Sequence, residues 1–251
     1  MIRSFILSLL CLTIFSCDKA GKPIVPDPGN VKMVEHNAAD DTMAVERGID
    51  AIPESDGIFL AWYALEEEKV NRYKIWRKGS ESYFEVIKVI DPKTAPPGKD
   101  TTFIDDNGGS GLTLENYYYE YYVTAANQEG KEGSAIDTVY YMLIHKPDML
   151  QSDTSTYNLN SGKAPILYWQ FVDPPTYYIL RIENAFDKLQ YVHIFDVIDF
   201  FPDQTLDLND SNRVPDLPEF QPGLYKWRID IIGPDEDHSG SESNWAFFTI
   251  E

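Results

Sequence analysis

Cysteine, basic residues, histidine and long apolar runs are all scarce in this chain. Its two cysteines, Cys11 and Cys17, both stand near the start of 251 residues. A disulfide framework across the body of the protein is therefore excluded, together with C-x-x-C metal or redox motifs. Only 21 Lys and Arg face 41 Asp and Glu, a formal net charge of -20. That balance repels phosphate backbones, and no basic run locally reverses it, so nucleic acid is not an expected partner. After residue 17 no stretch reaches the roughly twenty apolar residues that a spanning helix needs. The four histidines, His36, His145, His193 and His238, are scattered, and no H-E-x-x-H, P-loop or dinucleotide fingerprint occurs. GGSGL, residues 108–112, lacks the second glycine of a G-x-S-x-G elbow because Leu112 stands there, so it reads as a turn. No catalytic residue and no cofactor is expected from these patterns, and an enzyme with a noncontiguous site is the least favoured class.

What is present is apolar area: 43% hydrophobic and 14% aromatic residues, enough for one large or two ordinary cores. Arg3, the apolar residues 5–15, then Ser16 and Cys17 follow the order of a secretory signal. Ile14, Phe15, Ser16 and Cys17 resemble the lipobox of bacterial lipoproteins. That resemblance implies that 1–17 is a signal peptide and that Cys17 receives lipid (palmitate among its acyl chains) and becomes the mature N-terminus. The chain would then be anchored to a membrane of the bacterial cell envelope; a plain signal peptide or an uncleaved leader is the alternative. Residues 18–45 carry Pro, Gly, Asn and acids without period and read as a flexible tether.

Beyond the tether, short runs of alternating apolar and polar residues are separated by turn clusters such as DPKTAPPGKD and NQEGKEG, with no long helical pattern. The chain is predicted to be all-β. It also repeats: IFLAW, YKIWR and YEYYVTAANQEG in one half answer ILYW, YILRI and YKWRIDI in the other. Trp62 to Tyr119 spans 57 residues, Trp169 to Tyr225 spans 56, and the two tryptophans are 107 apart. Two tandem immunoglobulin-like β-sandwiches are expected, at 46–146 and 147–251. Tyr119, Tyr121, Val123, Ala125, Asn127 and Gly130 resemble strand F of the fibronectin type III domain, with Trp62 as its strand B tryptophan and Tyr73 and Ile75 on strand C. In the second half Trp169, Tyr178, Leu180, Tyr225, Trp227 and Ile229 fit the same scheme. The resemblance implies a tyrosine corner at Tyr119.

Alternation along strand F points Tyr118 and Tyr122 outward, and Trp76 outward from strand C, so three rings are expected side by side as a candidate binding face. Cross-strand pairing or contact with the second domain is the competing explanation. The acidic loop PDEDHSG supplies Asp235, Asp237 and His238 as candidate metal ligands, against the commoner reading of a solvated loop tip. ERGID interrupts Arg-Gly-Asp with Ile49 and gives no adhesion motif. The function expected is a noncatalytic envelope lipoprotein whose sandwiches bind a protein or glycan, with a structural spacer or scaffold subunit as the alternative.

Overall fold

The computed structural model describes residues 25–36, 48–114, 117–150, 155–158, 165–197, 201–235 and 238–251. The signal segment, Cys17 and Asp237 lie outside them.

The first domain contributes β1 (Ile49–Ala51), β2 (Ile58–Ala61), β3 (Arg72–Lys78), β4 (Glu85–Ile90), β5 (Thr102–Asp105), β6 (Tyr119–Ala126) and β7 (Val139–Leu143). Strands β1-β2-β5 form one sheet and β4-β3-β6-β7 the other, all pairs antiparallel. Period-two alternation makes the sandwich: Tyr119, Tyr121, Val123 and Ala125 turn inward from β6 and meet Ile58, Leu60 and Trp62, all buried. The Tyr119 hydroxyl donates to the carbonyl of Thr113 (3.1 Å) and accepts from its N–H (3.0 Å), which is the tyrosine corner that the resemblance implied.

Residues 25–36, inside the stretch read as a tether, pack against the first domain. Within 25–36, Val31 and Met33 are each 2% exposed and sit in the first core, and Met33 opposes Trp62 in an antiparallel bridge. Backbone bonds from Val34 N–H to Ala61 (3.0 Å) and from Tyr63 N–H to Lys32 (2.9 Å) fix the segment along β2. β1 resumes the same edge at Ile49, opposite Leu60. Two alternating apolar residues among prolines, glycines and acids are too short a pattern to read from sequence, yet their burial helps to hold the segment in place. Gly133 permits the crossing, since a Cβ there would collide with the Gly29 carbonyl.

The second domain contributes β8 (Asp148–Met149), β9 (Ser155–Tyr157), β10 (Ile166–Gln170), β11 (Tyr177–Asn184), β12 (Leu189–Asp196), β13 (Asp203–Asp207), β14 (Gly223–Ile232), β15 (Ser239–Glu242) and β16 (Ala246–Ile250). One sheet runs β13-β10-β8; in the other, β14 lies beside β11 and carries both β15 and β16 on its far edge. Trp169, Tyr178, Leu180, Trp227 and Ile229 are completely buried, with the Trp169 ring edge-on to Tyr178 at 5.4 Å and to Trp227 at 6.5 Å. A second tyrosine corner joins Tyr225 to Gln221, whose carbonyl accepts at 2.9 Å and whose N–H donates at 3.0 Å.

The sandwiches are not merely consecutive. β15 pairs in parallel with β7 of the first domain, Ser239 opposite Met142 and Gly240 opposite Leu143, so that one sheet of ten strands crosses the junction. Gly240 makes this approach possible: an added Cβ would lie 2.7 Å from the Ile231 carbonyl oxygen and 2.8 Å from the Tyr141 hydroxyl. Lys146 stitches the same place, its ammonium donating to the carbonyls of Ile52, of Pro53 (3.3 Å) and of Glu242 (2.8 Å). Burial lowers its pKa below the ordinary lysine value, because those carbonyls replace water only in part. The Ser241 hydroxyl adds a bond to the His145 carbonyl at 3.1 Å.

Candidate functional site

The expected aromatic face resolves into two separate groups. Trp76 on β3 and Tyr122 on β6 are directly opposite across the strands, ring centroids 5.6 Å apart and nearly parallel at 21°. Phe84 packs against Tyr122 with ring centroids 4.7 Å apart, and the Lys74 ammonium lies 5.9 Å over Trp76. The Trp76 indole N–H donates to Thr124 Oγ1 (3.0 Å), while Glu132 accepts from Thr124 and pairs with Lys74. Burial alone would raise the Glu132 pKa, but Lys74 and Thr124 outweigh it and hold the carboxyl below its ordinary value. The rings thus stack on one another across the strands, the geometry of a cross-strand aromatic pair.

Tyr118 is directed elsewhere. Its ring packs edge-on against Tyr140 (5.2 Å), its hydroxyl donates to the Asp235 carboxylate of the second domain (3.1 Å), and Tyr140 in turn meets His238 at 4.2 Å. Burial, followed by the Asp235 carboxylate, raises its pKa. Asp235 and His238 therefore belong to a bonded turn at the domain junction. His238 N–H donates to the Asp235 carbonyl (2.8 Å), and that carbonyl also accepts from the Ser239 hydroxyl (2.8 Å). Among the described residues no group of three or more His, Cys, Asp or Glu is placed to hold a metal ion.

A charged network lies inside the first domain. Arg77 donates to both oxygens of the buried Asp105 carboxylate (3.2 and 3.1 Å), which also accepts from Tyr121 (2.8 Å). Burial pushes the Tyr121 hydroxyl well above its ordinary pKa, with Asp105 adding to the effect. Every member is hydrogen-bonded, as a buried polar network requires.

The feature that sequence reasoning missed is a cleft at the junction, about 310 Å³, where the outer face of the β1-β2-β5 sheet meets the outer face of β11 and β14. Phe59 and Ile104 line one side, Arg181, Lys226, Arg228 and Trp245 the other, and the exposed Lys99 also lines it. Arg181 and Arg228 stand directly opposite each other on adjacent strands and are 3% and 2% exposed. Asp230 (3.0 Å) and Glu242 hold the Arg228 guanidinium, and neither carboxylate lines the cleft. Lys226 pairs with Asp187 (2.6 Å) and Glu183 (3.0 Å); burial lowers its pKa, but those carboxylates prevail and the net shift is upward. The Trp245 ring lies against Lys226 at 4.2 Å and Arg228 at 5.1 Å. The alternation in YKWRID and in LRIE does place these cations on an outward face. What that face opposes depends on the β7–β15 pairing, which has no local signal.

No protein-family model matches the chain, and no curated protein matches it. Among solved structures it is similar to a two-domain fibronectin type III segment of chicken tenascin, at 12% identity over 87% of this chain and 97% of that one, with a TM-score of 0.29. The FN1-FN3 domains of chicken CNTN1 are similar at 10% identity over 89% of this chain and 66% of theirs, TM-score 0.26. CopC from Methylosinus trichosporium OB3b is similar at 18% identity over 42% of this chain and 93% of its own, TM-score 0.29. The fold itself is carried by strand order, register and the two tyrosine corners: two fibronectin type III-like β-sandwiches in tandem.

Proposed function

We propose that the chain is a noncatalytic binding module of the bacterial cell envelope, anchored through lipid on Cys17, in which two sandwiches act as one rigid arm that engages a protein or glycan. The observation that carries this reading is the ten-stranded sheet through β7 and β15, reinforced by Lys146. A pre-set angle between domains removes orientational freedom before any partner is met, so less is lost on binding. Packing of 25–36 onto the first domain also supports a short leash. From Cys17 to residue 25 is 25 - 17 = 8 residues, a reach of at most about 29 Å. A scaffold or spacer role in an envelope assembly is the second reading, favoured by the same rigidity.

The test has two arms. The full chain is expressed in a bacterium fed a palmitate analogue, beside Cys17→Ser; the wild type is expected to carry label and sediment with membranes, and the variant to lose both. A variant that still sediments would overturn the anchor. Crosslinked capture from the native envelope then separates the readings. One stoichiometric protein partner supports the scaffold, retention on an external glycan supports adhesion, and turnover of generic ester or glycoside substrates would overturn the noncatalytic assignment.

A further inference from the structure

We propose that the free edge of β4 is a surface for a second copy of this chain: the two β4 strands pair antiparallel about a twofold axis, with Val86 of each opposite Val89 of the other. The surface is remote from the domain junction, and the inference stands apart from the binding function proposed above. It begins with an unfinished sheet. Among the described residues β4 pairs with β3 alone and ends the ten-stranded sheet, while β5 ends the three-stranded sheet that faces it. A groove of about 390 Å³ runs between these two edges, lined by Ile90, Ala95, Pro96, Phe103 and Ile104. Val86 and Val89 are 41% and 50% exposed on the strand itself. An edge with unpaired backbone donors and acceptors, flanked by apolar side chains, is a template for another strand.

Which strand it accepts follows from a bulge. Lys88 stands opposite Ile75 and Val86 opposite Trp76, so Ile87 is an extra residue. Residues directly opposite each other share a face of the sheet. Glu85, Lys88 and Ile90 therefore lie on the inner face with Arg77, Ile75 and Tyr73, and Val86 and Val89 on the outer face with Trp76 and Lys74. Ile87 packs against the first core and is inner as well. From 85 to 90 the order is in, out, in, in, out, in, which reads the same in both directions. A regular strand cannot match two consecutive inner residues, so the bulge turns away an ordinary extended peptide, as bulges at edges do. A second copy carries the same irregularity, and the twofold turn matches it. Val86 meets Val89, Ile87 meets Lys88 and Glu85 meets Ile90, each pair on one face. Of the antiparallel registers that join four or more of these residues, this one alone matches every face.

Charge agrees with that register. In a chain of net charge -20, β4 carries one Glu and one Lys and is neutral, so the strands meet without local repulsion. Pairing sets the exposed Lys88 diagonal to Glu85 of the second copy, within reach of a long side chain, and does so twice. Glu85 bonds to Arg77 yet keeps a side chain that is 54% exposed, which leaves it able to accept from that lysine.

The experiment uses the full chain with Cys11→Ser and Cys17→Ser, which removes both native thiols. Sedimentation equilibrium is expected to show a reversible dimer, half assembled at or below about 50 µM. Val86→Lys with Val89→Lys, both at exposed positions, is expected to raise the dimer Kd at least about tenfold with circular dichroism unchanged, and Lys88→Glu at least about threefold. Disulfides then read the register. Val86→Cys in a nitrogen-15-labelled chain is mixed with Val89→Cys in an unlabelled one and oxidised, and the crosslinked dimers are weighed by intact mass spectrometry. Opposed residues stand about 4.5–5.5 Å apart at Cα, inside the span of about 4.4–6.8 Å that a disulfide bridges. Each cysteine is offset from its own counterpart by three residues, about 10 Å along the strand. The mixed disulfide is therefore expected to make up about nine-tenths of the crosslinked dimer, against about half for random pairing. A chain that stays monomeric at about 0.2 mM, a dimer indifferent to the two valine substitutions, or a mixed disulfide at the random share would overturn the proposal. Any of these results would leave the binding-module reading standing and reject only this surface.

Discussion

Gly240→Ala tests the junction with a single methyl group. The new Cβ would stand 2.7 Å from the Ile231 carbonyl oxygen and 2.8 Å from the Tyr141 hydroxyl, against about 3.3–3.6 Å for an ordinary carbon–oxygen approach. One neighbour is backbone of the same sheet; the other is a buried ring of the first domain whose hydroxyl bonds to Asp50 (3.3 Å). Neither gives way freely, so β15 must retreat by roughly half an ångström, which is overpacking at about 1–3 kcal/mol. The retreat also loosens the bonds from Met142 N–H to His238 (2.8 Å) and from Ile144 N–H to Gly240 (3.2 Å), each about 0.5–1.5 kcal/mol. The expected loss is therefore about 2–6 kcal/mol, concentrated at the contact between domains. Urea unfolding followed by tryptophan fluorescence and by circular dichroism is the assay. The wild type is expected to unfold in one transition; the variant is expected to show two, each with a smaller denaturant slope because each exposes one domain's surface. A single unshifted transition, within about 0.5 kcal/mol of wild type, would refute the reasoning.

Tyr119→Phe and Tyr225→Phe each delete a hydroxyl that serves a backbone N–H and a carbonyl. Since Thr113 and Gln221 are exposed enough for water to compensate in part, about 1–2 kcal/mol is expected for each, seen as a fall in Tm of about 2–4 °C per kcal/mol for a single cooperative unit of two domains. Arg77→Gln leaves the Asp105 carboxylate buried without its cation. About 3 kcal/mol is expected, the low end for a broken buried pair because Arg77 keeps some exposure, and equilibrium denaturation would show it. Alkaline titration of stability has a defined sign. Burial pushes the Tyr191 hydroxyl up to about 12 and those of Tyr121 and Tyr178 further, whereas unfolded tyrosines ionise near 10. The unfolded chain thus loses protons first, and stability is expected to be intact below pH 10 and to fall from there through 12. Lys146, lowered by burial, acts in the opposite sense just below its ordinary 10.5, but one lysine stands against several tyrosines. Stability that rises between pH 10 and 12 would contradict the burial of those rings.

The sandwich cores were legible because β6 and β14 carry unbroken alternation of large apolar side chains, and because a tyrosine at the start of each strand has one structural use. The packing of 25–36 was not, since its signal is Val31 and Met33 alone within a run that composition assigns to a tether. The candidate face was legible by direction only: Trp76 and Tyr122 do point outward, but nothing in their spacing says that they stack on each other, or that Tyr118 bonds to Asp235, more than a hundred residues away. The junction is the least readable part. Its key residues are Gly240, Ser239 and Ser241, whose smallness suggests a loop in sequence and permits close strand approach in three dimensions. The cleft inherits that illegibility, because its cations and its apolar wall belong to different domains.

The central claim is that the two domains form one rigid arm, and electron–electron double resonance measures this directly. With Cys11 and Cys17 replaced by Ser, no native cysteine remains, and spin labels at Glu68→Cys and Phe186→Cys report from exposed positions in the first and second domains. The account predicts one narrow distance distribution, unchanged by salt and broadened by Gly240→Ala. A broad or multimodal distribution in the otherwise native chain would contradict it.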